Sequence, residues 1–213
     1  LDSCKTKIIR VNSAKPEADK INQAAKIIQS GGLVAFPTQT FYALGADTSN
    51  PEAVKRVFEV KARPLDKPLP VLVARMRDVY RLVQEVPRVS QSLLDEFWPG
   101  PLTLVFKSSP LIPSIVRGRS DTIGIRIDQN LVALALIEAS HTPLTATSAN
   151  LSGNRSPVNA GQVMKDLGGR IEAILDGGPA EIGIGSTVLD LTTDPPLILR
   201  EGVIARSELA NCI

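Results

Sequence analysis

The chain reads as an α/β protein, and three observations carry that reading. Short apolar runs rich in β-branched residues alternate with longer Ala/Leu/Lys stretches of helical period, the pattern of strands layered against helices. Glycine or proline stands at most junctions between the two, and the 16 prolines are spread along the chain rather than grouped. Hydrophobic residues make up 43% of 213 residues, enough for an ordinary buried core. No repeat, low-complexity tract or flexible linker divides them, so one domain over 1–213 is expected, with its core at about 7–205.

Each element has a local reason. Residues 7–11 alternate as a strand does, and Pro16 opens an Ala/Lys/Ile-rich helix that stops at Gly31-Gly32, where glycine tolerates the left-handed C-terminal cap. A strand at 33–36 leads into a loop at 37–45, and a helix at 51–60 runs into a cationic cluster. A strand at 69–73 precedes helices near 77–83 and 91–97, separated by the helix breaker Pro87, and Trp98-Pro99-Gly100-Pro101 forces a turn. Strands at 102–107 and 122–127, a helix at 131–140 and a short strand at 144–147 follow. A helix at 159–167, strands near 173–175, 187–191 and 197–199, and a small helix near Arg206 finish the chain.

Composition excludes several classes of function. Twenty-four basic residues nearly balance 22 acidic ones, so the formal charge of +2 leaves no dedicated polyanion binder, and any basic character is local. Cys4 and Cys212 lie at opposite ends and give neither a disulfide framework nor a thiol metal site, which fits a reducing compartment. His141 is the only histidine and stands where a helix ends, a capping position; without a second, neither a His-based zinc site nor a separate Ser-His-Asp triad is expected. No apolar run is long enough to span a membrane and no secretory signal opens the chain, so a cytoplasmic protein is expected. Because the sequence starts at Leu1, an organellar leader stays open.

Two separated clusters carry the chemistry. P-L-T-A-T-S-A-N-L-S-G at 143–153 offers the hydroxyls of Ser148 and Ser152, the amide of Asn150 and unhindered backbone N–H groups. K-A-R-P-L-D-K-P-L at 61–69 offers Lys61, Arg63 and Lys67, with Pro64 and Pro68 stiffening the loop. Together they suggest a nucleotide pocket in which cations meet phosphates and small residues let the backbone approach. The plain alternatives are a solvated basic loop and a cluster of caps and turns. Neither Lys61 nor Arg63 is expected in the core. Thr38 and Thr40 follow a strand and could turn hydroxyls into the same cavity, with Tyr42 on its wall. Arg126 ends T-I-G-I-R, where a lone strand arginine is more often a surface residue, and Thr122 shares its face by even spacing.

Five ordered motifs resemble the YrdC/TsaC family of L-threonylcarbamoyladenylate synthases over about 34–200. They are P-T-Q-T-F-Y-A-L-G-A at 37–46, K-A-R-P at 61–64, W-P-G-P-L-T at 98–103, T-S-A-N-L-S-G at 147–153 and G-S-T-V-L-D-L at 185–191. The resemblance implies a twisted mixed β-sheet flanked by helices around a large basic cavity, the YrdC-like fold. It implies an enzyme, a nucleotidyltransferase that combines L-threonine, bicarbonate and ATP with Mg2+ to give threonylcarbamoyl-AMP and pyrophosphate. That product would serve a downstream threonylcarbamoyl-transferase complex acting on the tRNA adenosine next to the anticodon, with tRNA contact by the synthase left open. By the same resemblance Lys61, Arg63, Ser148 and Asn150 are catalytic, and these four with Lys67, Thr122, Ser156 and Arg200 bind ATP. Thr38, Thr40, Tyr42, Arg126 and Ser186 bind threonine. No metal ligand is assigned, and Trp98 to Pro101 is read as a packing corner outside the site.

The sequence departs from the commoner family pattern at three places: Gln39 stands for a frequent Glu, Ala43 for a frequent Gly, and Leu72 where some relatives have His. A left-handed backbone at Ala43 would cost about 1 kcal/mol. After Gly202 little chain remains, so the single-domain form is expected. Two other readings stay open. An RNA-binding module without catalysis could use Lys61, Arg63, Lys67, Arg117 and Arg119, although 4% aromatic residues leave few stacking platforms. A paralogue could take a different carbamoyl-type substrate.

Overall fold

The computed structural model describes residues 5–118 and 120–212. Strand β1 (Lys7–Arg10) leads to helix α1 (Ala18–Gln29), whose Ile21, Ala24, Ala25 and Ile28 form one buried stripe at helical spacing. β2 (Val34–Pro37) and β3 (Tyr42–Gly45) are wholly buried, and α2 (Pro51–Lys61) follows. Asn50 caps α2, its Oδ1 accepting from the N–H groups of Glu52 (3.1 Å) and Ala53 (3.2 Å), with Pro51 in the first turn. After β4 (Val71–Leu72) come α3 (Met76–Leu82), α4 (Ser90–Phe97), β5 (Leu102–Lys107) and α5 (Ser114–Arg117). β6 (Thr122–Arg126), α6 (Leu131–Ser140), β7 (Leu144–Thr145), β8 (Thr147–Ser148) and α7 (Ala160–Leu167) form the next stretch. β9 (Ala173–Asp176), β10 (Thr187–Asp190), β11 (Leu197–Arg200) and α8 (Arg206–Leu209) complete it.

The strands form two mixed sheets where the sequence suggested one. The first has the order β1-β9-β2-β3-β8 and the second β11-β10-β5-β6-β4-β7. Parallel pairs (β1 with β9, β9 with β2, β10 with β5, β4 with β6) sit beside antiparallel ones (β2 with β3, β5 with β6, β10 with β11) in both. The expected strand at 144–147 is the place where the chain changes sheets. β7 pairs with β4 through Val71 and Thr145, then β8 pairs with β3 through Ala43 and Ser148. Residues bordering a cavity between the sheets come from this crossing point.

Three further differences have physical causes. Only residues 38–41 of the expected loop at 37–45 form a turn; Tyr42–Gly45 becomes β3 because it pairs with β2 on one side and β8 on the other. Ala43 is therefore extended, and the left-handed backbone falls instead at Ala62 (φ 50°) and His141 (φ 57°), which terminate α2 and α6. The four-residue α5 has no amphipathic period long enough to read. Among the described residues no helix is long and apolar enough to cross a membrane. Cys4 and Arg119 lie outside the described residues.

Candidate active site

A cavity of about 370 Å³ opens between the two sheets. β3 and β8 supply Tyr42, Ala43, Thr147 and Ser148 from one sheet; β4, β5, β6 and β10 supply Leu72, Thr103, Thr122, Arg126 and Val188 from the other. Arg63 enters from the loop after α2, and Arg200 from the end of β11. Among the described residues the wall thus carries three arginines and no carboxylate. Desolvation pulls all three guanidiniums below their usual value; Asp128 opposes this at Arg126, and the positive charge of Arg126 adds to it at Arg200. Guanidinium stays protonated under such pressure, so the cavity carries net positive charge, three arginines against the one carboxylate of Asp128 behind Arg126, and suits anions.

Ten of the thirteen residues singled out in the sequence border this cavity: Thr38, Thr40, Tyr42, Arg63 and Thr122, together with Arg126, Ser148, Ser156, Ser186 and Arg200. The turn at 38–41 is held by Thr38, whose hydroxyl donates to the Phe41 carbonyl (2.6 Å) and lies 3.1 Å from the Thr40 hydroxyl. The Tyr42 ring lines the wall, but its hydroxyl is engaged away from any ligand, donating to the Gly178 carbonyl (2.6 Å); burial and the Asp176 charge push this phenol up. Arg200 is oriented by Ser186, donating from Nε (3.1 Å) and Nη2 (2.8 Å) to its carbonyl, and from Nη2 to its hydroxyl (3.1 Å). Gly202 makes that approach possible, since a Cβ there would sit 2.2 Å from the Gly185 carbonyl oxygen.

Arg126 corrects the usual expectation for a lone strand arginine. It is 6% exposed, its Nη2 pairs with Asp128 Oδ2 at 2.8 Å, and its Nη1 has no hydrogen-bond partner among the described residues. Asp128 Oδ2 and Gln39 Oε1 are likewise without a hydrogen-bond partner among the described residues, and a buried polar group left over in this way calls for a partner that the protein does not itself supply.

Lys61, Lys67 and Asn150 do not border the cavity. The expectation that Lys61 lies outside the core is overturned: it is 2% exposed. Its Nζ donates to the Ser148 carbonyl, to the Asn150 carbonyl at 2.7 Å and to Asn150 Oδ1 at 3.4 Å, while its own carbonyl accepts from Ser152 N–H at 2.8 Å. Lys61 closes the end of α2 against the 148–152 loop because the Ala62 and Arg63 N–H groups fold back onto the last turn. Burial, and secondarily the Arg63 charge, push the Lys61 amine down to about 7, with Asp166 opposing. Asn150 is spent on the same loop, its Nδ2 donating to the carbonyls of Leu151 (3.0 Å) and Asn154 (2.7 Å). Both residues therefore shape the Ser148 loop. Lys67 is exposed, its carbonyl accepting from Arg63 Nε at 3.4 Å, and the Arg63 Nη2 donates to the Pro68 carbonyl at 2.8 Å.

Sequence reasoning missed two residues. Thr103 closes W-P-G-P-L-T, and its hydroxyl lies 2.8 Å from that of Ser186 on the cavity wall. Asp128 stands behind Arg126, two residues past it and beyond the end of β6, where strand alternation no longer applies. Of the cations an RNA-binding reading draws on, Arg117 is half-buried, and Arg119 is not described.

A Sua5/yciO/yrdC family model, described as telomere recombination, matches residues 26–202. The threonylcarbamoyl-AMP synthase of Pyrococcus abyssi is 46% identical over 194 residues, covering 91% of this chain and 57% of that protein. The crystal structure of P. abyssi Sua5 complexed with L-threonine superposes with a TM-score of 0.95 at 45% identity, over 98% of this chain and 60-odd per cent (61%) of that one. Escherichia coli YciO superposes with a TM-score of 0.86 at 26% identity, over 96% of this chain and 99% of that one. The chain spans just over half the length (53–57%) of the first curated synthases it matches. With the matched segment covering most of the sequence and the same fold holding across it, the chain belongs to the Sua5/YciO/YrdC family.

Proposed function

We propose that residues 7–205 form the catalytic unit of an L-threonylcarbamoyladenylate synthase. The observation that carries this reading is the buried Arg126, with Nη1 unpartnered among the described residues, on the wall of a cavity that holds two more arginines and no carboxylate. A guanidinium of that kind suits the threonine carboxylate, and the hydroxyls of Thr38, Thr40 and Ser186 on the same wall suit its amine and hydroxyl. Arg63, Arg200, Ser148, Thr122 and Ser156 would take the nucleotide, with Lys61 and Asn150 holding the Ser148 loop in shape and Lys67 flanking it. The threonine complex of the P. abyssi relative supports the assignment of the amino acid.

The chemistry asks for positioning and charge neutralisation more than for a strong side-chain base. The threonine amine adds to carbon dioxide derived from bicarbonate and loses a proton, giving a carbamate. One carbamate oxygen then attacks the α-phosphorus of ATP in line, a P–O bond forms as the bond to the β-phosphate oxygen breaks, and pyrophosphate leaves. Arginines and hydroxyls held in a partly closed cavity lower this barrier by neutralising phosphate charge and fixing the attack geometry. Among the described residues the wall offers no carboxylate, so a magnesium ion would be held by the phosphate oxygens of the bound nucleotide. The product would pass to a threonylcarbamoyl-transferase complex for the tRNA adenosine beside the anticodon.

Pyrophosphate release from ATP, magnesium and bicarbonate tests the reading, with L-threonine, with L-serine and with no amino acid. Threonine-dependent release with threonylcarbamoyl-AMP identified by mass is expected. Release that ignores the amino acid contradicts it, and tight, steeply salt-dependent RNA binding without turnover transfers support to an RNA-binding module.

A further inference from the structure

Asp128 is the least accounted-for ionisable group near the cavity. It is fully buried at 0% exposure and belongs to none of the motifs that brought the other residues forward. Its two oxygens divide their work. Oδ1 accepts from Gln39 N–H at 3.0 Å and from Asn130 N–H at 2.8 Å, whereas Oδ2 pairs with Arg126 Nη2 at 2.8 Å. Gln39 is the residue between Thr38 and Thr40. One carboxylate therefore fixes both the rotation of the cavity arginine and the position of the turn that presents the two threonine hydroxyls.

Stability alone does not account for this arrangement. Buried ion pairs contribute little net stability, because desolvation of the two charges offsets their attraction. The start of α6 already has its own cap, with Asn130 Oδ1 accepting from the N–H groups of Val132 (3.0 Å) and Ala133 (3.3 Å). What the pair does achieve is placement, through an ion pair in which Oδ2 accepts no hydrogen bond among the described residues. With Nη2 held against Asp128, Nη1 is an arm without a partner among the described residues, and the bond to Gln39 sets how far that arm lies from the Thr38–Thr40 turn.

We propose that Asp128 is a positioning residue for amino-acid recognition, setting the spacing between the carboxylate-binding arm of Arg126 and the hydroxyl-bearing turn at 38–41. The inference rests on the threonine assignment made above. It implies that Asp128 governs threonine binding first, since among the described residues none of its hydrogen bonds or ion pairs reaches Arg63, Ser148 or Ser156, and the nucleotide end feels it only through the Arg126 charge on Arg200.

The test uses the whole chain and two variants. Asp128→Asn keeps an oxygen for the two N–H groups but turns an NH2 toward the Arg126 guanidinium, so the arginine must rotate; Asp128→Glu keeps the charge and advances it by one methylene. Steady-state KM values for L-threonine and ATP are measured separately, calorimetric titration with L-threonine is run alongside, and the folded fraction is read from thermal melts. A displacement of this kind costs roughly 10- to 100-fold in threonine KM, with ATP KM within about threefold of wild type. Should Asp128→Asn fail to fold, Asp128→Glu is expected to show the same one-sided loss to a smaller degree. Equal changes in both KM values, or a fall in kcat that tracks only the folded fraction, mean a purely structural residue and overturn the inference. A wild-type chain that binds threonine but makes no adenylate removes the proposed reaction while the titration still decides the role of Asp128. A wild-type chain that binds no threonine overturns both.

Discussion

Replacing Lys61 by Met tests how the Ser148 loop is held. The change substitutes an apolar chain of similar length for a buried ammonium. Lowering a lysine from 10.5 to about 7 corresponds to about 5 kcal/mol of burial cost at roughly 1.4 kcal/mol per unit, and the variant no longer bears it. Against that, the Asn150 carbonyl and amide oxygens lose the Lys61 donor, at about 1–3 kcal/mol each, while the Ser148 carbonyl keeps the Asn150 N–H at 3.0 Å. About 2–6 kcal/mol lost against about 5 kcal/mol regained puts Lys61→Met within about 3 kcal/mol of wild type in urea unfolding at pH 7, while ATP-dependent turnover falls at least about tenfold. Lys61→Ala, which adds a void, is destabilised further.

The pH dependence separates the cause. Because the folded Lys61 titrates below its unfolded value, the unfolded chain binds more protons between about pH 7 and 10.5, and the wild type gains stability as pH rises through that window. From pH 7 to pH 9 the wild type gains about 2 kcal/mol relative to Lys61→Met, a drift the variant lacks. A stability difference that stays flat with pH, or a Met variant with wild-type turnover, would refute the reasoning.

Three other outcomes are expected. Arg63→Ala should raise ATP KM about 10- to 100-fold, from the loss of one charge-assisted phosphate contact of about 1.5–3 kcal/mol, with a melting temperature near wild type because its bonds are to the Lys67 and Pro68 carbonyls of its own loop. Gly202→Ala should cost about 2–4 kcal/mol in chemical denaturation, since the new Cβ meets backbone at 2.2 Å and 2.5 Å near Gly185 and Ser186; a change under about 0.5 kcal/mol would show that the strand moves freely. Ala62→Gly should stabilise by about 0.5–1 kcal/mol, because Ala62 is exposed and holds a left-handed φ of 50° that glycine adopts without strain, and a loss of stability would contradict the helix-end geometry.

Local chemistry made much of this protein legible. Asn50, Pro51, Asn130 and Asn159 open helices where the sequence places them, because a cap needs only its own neighbours. β3 was hidden inside a loop reading because Tyr42–Gly45 becomes a strand only through partners at Val34–Pro37 and Thr147–Ser148, far off in sequence. The same reason concealed the division into two sheets at Ala146. In the site, hydroxyls and arginines could be named from motif and type, but what each side chain touches could not. Lys61 illustrates this: beside Arg63 in a basic loop it reads as a phosphate ligand, and only the end of α2, folding against the 148–152 loop, turns it inward. Asp128 went unread because its partners are two backbone N–H groups and one arginine that no spacing rule joins.

The most direct measurement is a crystal structure of this chain with L-threonine and a non-hydrolysable ATP analogue. The account predicts both ligands in the cavity between the sheets, the threonine carboxylate on Arg126 Nη1 and the phosphates against Arg63 and the Ser148 loop. Threonine bound away from Arg126, or a nucleotide outside that cavity, would contradict it.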